Sequence, residues 1–102
     1  MTLVPNQRDP DKKFAYSKDL VSRSVAGETL IVPVRGGVGD LKSIYTLRSV
    51  SQSIWQMVGE GKNFGEIVES ITKEYDVTEE VAIKDLESFL DELLREKLIQ
   101  QV

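Results

Sequence analysis

From Leu20 to Leu47 the apolar positions come in short β-branched runs; from Val50 onward they recur every three or four residues. The run "LVSRSV" predicts a first strand, and "AGE" a turn carrying Gly27. "TLIVPV" predicts a second strand with Leu30, Val32 and Val34 on one face. Pro33 has no N–H for a ladder, which suits an edge strand or a bulge. The stretch "VRGGVGDLK" turns the chain, and "SIYTL" predicts a third strand. Connections this short exclude a parallel crossover, so the three strands form an antiparallel meander.

The second half is helical. Val50, Ile54, Met57 and Val58 share one face, with Ser49 or Ser51 as N-cap and Gly59 and Gly61 as the stop. Asn63 stands three residues before Glu66, a pairing related to the capping box. Phe64, Ile67, Val68, Ile71 and Tyr75 then mark a second amphipathic helix. "YDVT" breaks it, and Thr78 caps a third helix from about Glu79 to Lys97. Its stripe is Ala82, Ile83, Leu86, Phe89, Leu90, Leu93 and Leu94. "LIQQV" predicts a short closing strand. Strands followed by helices indicate an α+β fold. A three-stranded antiparallel β-meander followed by a three-helix bundle is winged-helix-like, the last two helices being joined as in a helix-turn-helix. Residues 1–13, with Pro5 and Pro10, predict a flexible N-terminal arm before a single domain over 14–102.

Composition narrows the chemistry. The 102 residues contain neither Cys nor His. Disulfides, Cys/His zinc sites, a histidine base and a Ser-His-Asp triad are therefore excluded. No cofactor, no metal and no catalytic residue is expected, and the reading is a non-enzyme. No apolar run approaches a membrane span and the N-terminus lacks a signal-peptide core, so no membrane partner and a cytoplasmic location are expected. Charge is uneven: residues 1–62 carry a net +3 and residues 63–102 a net −7. The third helix has seven acidic and three basic residues between 79 and 97. A winged-helix DNA-binding or regulatory module is the alternative reading, but a recognition helix needs donors for phosphates and bases, so no nucleic acid is expected.

The glycine cluster Gly36, Gly37 and Gly39 matches neither phosphate-binding pattern. Lys42 stands where G-x-G-x-x-G needs its last glycine, and the loop feeds a strand rather than a helix N-terminus. It reads as a turn that presents the strand "SIYTL". The acidic residues Glu79, Glu80, Glu87 and Asp91 project away from the stripe of the third helix, as a solvated face does. Trp55 falls beside Ile54 and Val58, in the core or at its edge.

Two surfaces remain. If the core takes Tyr45 and Leu47, then Ile44 and Thr46 face outward on an edge strand, which is a liability unless covered. The cover is either the N-terminal arm or a partner peptide added as a strand. On the third helix, Val81, Asp85 and Ser88 form a flank next to Phe89. That flank is either ordinary exposed surface or one wall of a groove.

Residues Ser24 to Ile99 resemble the PqqD family of small peptide chaperones. The segments that carry the likeness are "AGETLIVPV", "IYTL", "SIW", "EIVESITKEYDV" and "DLESFLDELLREKLI". Arg48 and the serine-rich "SVSQS" depart from the family pattern around the aliphatic–Trp pair. The resemblance implies a fold that binds the leader segment of a ribosomally made precursor peptide and presents it to a modifying enzyme, often a radical-SAM maturase. It implies that the leader adds to the third strand at Ser43, Ile44, Tyr45, Thr46 and Leu47. The wall opposite would come from Val81, Asp85, Ser88 and Phe89 on the third helix.

Overall fold

The structure is a computed structural model that describes residues 9–35, 38–39 and 44–102. In chain order the elements are β1 (Phe14–Tyr16), β2 (Leu20–Val25), β3 (Glu28–Arg35), β4 (Val38–Gly39) and β5 (Tyr45–Arg48), then α1 (Ser49–Gly59), α2 (Phe64–Tyr75), α3 (Glu79–Arg95) and β6 (Ile99–Gln101). This is the expected α+β order, with a winged-helix-like arrangement of strands before helices. The three predicted strands are β2, β3 and β5. Two features go beyond the meander. The two-residue β4 pairs with the end of β3, and β1 pairs with β6 in a separate antiparallel sheet that joins the two ends of the domain.

β3 is the central strand, with β2 antiparallel on one side and β5 antiparallel on the other. Ala26 and Gly27 both have positive φ, 52° and 81°, between the paired Val25 and Glu28. That is the backbone of a two-residue type I′ hairpin, whose second position glycine occupies without strain. Pro33 therefore lies on the central strand and not on an edge. It lies opposite Leu20 of β2, and the described pairing with β5 ends at Ile31↔Tyr45. The two faces of β3 are also assigned differently from the pattern of its largest residues. Thr29, Ile31 and Pro33 are buried, while Leu30, Val32 and Val34 are only half-buried on the outer face. Strand alternation separates two faces but does not say which one meets the helices.

The core is one cluster fed by every helix and by β1, β3, β5 and β6. Trp55 is at its centre, 2% exposed, and not at its edge. Its ring stacks on Tyr16 with centroids 4.2 Å apart. Its indole N–H donates to Ser22 Oγ at 3.0 Å. The Tyr16 hydroxyl returns to α1 by donating to the Trp55 carbonyl at 2.6 Å. Gly59, at the end of α1, is needed for this approach, because a Cβ there would overlap the Tyr16 hydroxyl and ring. Gly59→Ala is expected to destabilise by about 1–3 kcal/mol, since the ring must leave its stack. A urea midpoint equal to or above that of the wild type would contradict this.

Burial raises the Tyr16 phenol above its usual value and the Glu60 carboxylate adds to that, while a hydrogen bond at the Gly59 backbone acts the other way. The unfolded chain then loses this proton first, so the contribution is intact below about pH 10 and is lost as pH rises further. Tyr16→Phe is expected to flatten the fall in stability between about pH 9 and 11. Parallel pH–denaturation curves for the two proteins would show otherwise.

The helix ends follow local chemistry. Asn63 Oδ1 accepts from the Glu66 N–H at 2.8 Å, and Glu66 Oε1 from the Asn63 N–H at 2.9 Å, completing the capping box of α2. Thr78 caps α3 by accepting from the Val81 N–H at 3.2 Å. At α1 the cap position is Arg48, not a serine. Ser51, three residues in, accepts from the Arg48 N–H at 3.1 Å and donates to its carbonyl. Ser49 is the first helical residue, with φ of 51°. The last five residues of the expected arm, 9–13, are tied to the domain. The Phe64 N–H donates to the Lys12 carbonyl at 2.8 Å and the Gly65 N–H to the Pro10 carbonyl at 3.0 Å. Residues 1–8 lie outside the described residues, as do Gly36 and Gly37 of the glycine turn. Gly39 pairs opposite Val34.

Candidate functional site

Among the described residues β5 pairs only with β3, so its other side is an open edge. Which backbone groups it offers follows from register. The two-residue hairpin makes Val25 and Glu28 a hydrogen-bonded pair, so Glu28 directs its N–H and C=O toward β2. Strand alternation then directs those of Thr29 and Ile31 toward β5. Their partners Leu47 and Tyr45 are accordingly bonded inward to β3. Thr46, between them, directs both its N–H and its C=O outward. The N–H of Arg48 has the same outward parity and is taken up by Ser51. The free backbone of this edge is therefore centred on Thr46.

The side chains sort as the conditional reading of the strand required. Leu47 is buried, Tyr45 is half-buried, Thr46 is exposed, and Ile44 is 44% exposed. Under this edge, between β5 and α3, lies a groove of about 230 Å³. Tyr45, Thr46, Leu47 and Ser51 line it on one side, and Phe89, Glu92, Leu93 and Glu96 on the other, with Leu98 below. The Tyr45 hydroxyl spans it, donating to Glu96 Oε1 at 2.7 Å. At the far end of β5, Arg48 is ion-paired with Glu28 at 2.5 Å. The groove thus combines apolar side chains, two carboxylates from the helix side and, among the described residues, an open strand edge at Thr46.

Of the residues singled out in the sequence, Tyr45, Thr46, Leu47 and Phe89 come together around this groove. Ser43 lies outside the described residues. Ile44 adjoins the edge without lining the groove. Val81, Asp85 and Ser88 are exposed on α3 and do not line it; Val81 is 44% exposed. They share a flank with Glu92 and Glu96, because 81, 85, 88, 92 and 96 advance by three or four residues along one side of a helix. The groove adjoins the C-terminal half of that flank. Glu92, Glu96 and Leu98 are site residues that the sequence reading does not single out, and Leu93 enters it only through the core stripe. Helical spacing alone extends the flank to Glu92 and Glu96, but only the packing of α3 on β5 shows which half adjoins the strand.

Comparison with known proteins accords with this geometry. The model of the PqqD family, described as coenzyme PQQ synthesis protein D, matches residues 28–99. Those residues run from the first residue of β3 to the first of β6 and include the whole groove. A solved structure, that of TbiB1 in complex with the TbiA(beta) leader peptide, is similar with a TM-score of 0.75 and 29% identity. The match covers 84% of this chain and 94% of that one. No curated protein matches. With 72 of its 102 residues inside the family match, the chain belongs to the PqqD family.

Proposed function

We propose that this chain is a non-catalytic peptide-binding module that captures the leader segment of a ribosomally made precursor peptide. The leader adds as a strand to β5 and lies in the groove against α3. The observation that carries this reading is the outward backbone of Thr46 above an apolar groove. A strand edge supplies affinity through main-chain hydrogen bonds, and pockets for alternate side chains supply specificity. Family membership supports it, as does the similarity to a protein solved with a leader peptide. The bound leader would be presented to a modifying enzyme, for which a radical-SAM maturase is the proposed partner. The acidic α3 favours this over the DNA-binding alternative, because α3 carries Glu and Asp along its exposed side where a DNA reader carries Lys and Arg. No helix among the described residues is long and apolar enough to cross a membrane.

The test is selection of twelve-residue peptides from a random display library on the immobilised chain. Amide spectra of the 15N-labelled protein then follow the binding of recovered peptides. Binding is expected to shift the amides of Thr46 and its neighbours and those of α3 around Phe89 to Glu96. Shifts confined to another surface, or no recovered peptides, would overturn the reading. A protein that only docks to an enzyme would give the second result.

A further inference from the structure

We infer that the groove between β5 and α3 selects a peptide strand with an apolar side chain and, two residues away on the same side, a lysine or arginine. This rests on the proposed strand addition and deepens it. A strand paired with the Thr46 backbone places its alternate side chains beside Tyr45 and Leu47, on the face that looks toward α3. Those two positions are about 7 Å apart. The groove has a mixed lining: Leu47, Phe89, Leu93 and Leu98 are apolar, and Glu92 and Glu96 are acidic. Its volume of about 230 Å³ suits one or two side chains. Beside Tyr45 lies Glu96, fixed by the Tyr45 hydroxyl at 2.7 Å, with Glu92 one helical turn away.

The charge that lines this groove, among the described residues, is of one sign. Among the described residues, Glu92 and Glu96 are the charged ones that line it, and Asp85 continues the same flank. Arg48, the cation of β5, is paired with Glu28. The ion pairs among the described residues join Arg48 to Glu28 and Lys73 to Glu69, and neither engages Glu92 or Glu96. The Tyr45 hydroxyl uses one acceptor position of the Glu96 carboxylate, which has about four. A peptide cation would therefore find two carboxylates with acceptor sites to spare, whereas a peptide carboxylate in the same place would meet like charge. These groups are at a solvated rim, so each contributes modestly to affinity and more to selectivity.

The experiment repeats the twelve-residue display selection on the wild type and on the Glu92→Gln/Glu96→Gln double variant. Glutamine in place of Glu96 keeps an acceptor for the Tyr45 hydroxyl; Glu92 is exposed on α3, and Glu96, its C-cap, is partly exposed. The wild type is expected to enrich Lys or Arg two positions from an apolar residue, and the double variant to lose that enrichment. In a recovered peptide, replacing the lysine by glutamine should weaken binding to the wild type about two- to fivefold for each carboxylate engaged, and much less in 0.5 M salt. It should have little effect on binding to the double variant. Peptides that bind through Thr46 but show no basic preference, or the same preference on both proteins, overturn this inference alone. If no peptide binds at the edge, the proposed function falls with it.

Discussion

Thr46→Pro is expected to lower the affinity for edge-binding peptides by at least about tenfold while the domain stays folded. The Thr46 N–H faces away from β3, so proline removes no hydrogen bond of the sheet. It removes the donor that an added strand would use, a net loss of about 0.5–1.5 kcal/mol, and its ring occupies the space where that strand would lie. A tenfold change corresponds to about 1.4 kcal/mol, so donor loss and steric block together exceed it. Leu47→Pro is the contrasting variant. Its N–H is directed at Thr29, which is fully buried, and its side chain is in the core. That protein should unfold instead of merely losing its peptide. Fluorescence anisotropy with a library-derived peptide measures the first effect, and far-UV circular dichroism on heating separates it from the second. Wild-type affinity in a folded Thr46→Pro protein would refute strand addition at β5.

Trp55→Ala is expected to remove about 3–5 kcal/mol of stability, the largest effect of any single side chain. Trp55 is among the largest fully buried side chains and joins three elements. It carries the helical face of α1, stacks on Tyr16 of β1 and bonds Ser22 of β2. Truncation leaves a cavity, an unsupported Tyr16 ring and a serine without its donor. A domain of this size has roughly 5–15 kcal/mol in total, so much of the protein would unfold in mild denaturant. Trp55→Phe separates the contributions. It keeps a ring against Tyr16 and gives up the Ser22 bond, with an expected cost of about 0.5–1.5 kcal/mol for that bond in addition to the lost ring volume. Urea denaturation followed by circular dichroism gives both values. A truncated protein within about 1 kcal/mol of the wild type would mean that Trp55 does not organise this core.

Local signals in the chain are legible at the positions where one physical requirement dominates. The Asn63–Glu66 capping box, the Thr78 cap and the glycine of the β2–β3 hairpin are set by orphan amides and positive φ, and neighbouring residues suffice to reveal them. The apolar stripes of α2 and α3 are equally legible, because burying one helix face leaves a period of three to four. The α1 cap is not legible among the nearby serines, since the Arg48 backbone and the Ser51 hydroxyl make that cap together. Pro33 points to an edge strand or a bulge in the sequence but lies on the central strand, because strand order is set by partners far away in the chain.

The candidate site divides along the same line. Alternation along "IYTL" makes one face of the strand inward and the other outward, and helical spacing puts a continuous flank on α3. Those periodicities are local, so the sequence by itself determined the α+β order, most of the caps and the candidate strand. Three matters depended on residues far apart in the chain. The face of β3 that meets the helices, Thr29 and Ile31 instead of Leu30 and Val32, follows from how the sheet packs. The amide left free on β5 follows from register passed across β3 from the β2 hairpin. The half of α3 that closes the groove, Phe89 to Glu96 instead of Val81 to Ser88, follows from where that helix crosses β5. Each is a choice between two arrangements of the same local pattern, and only long-range packing distinguishes them.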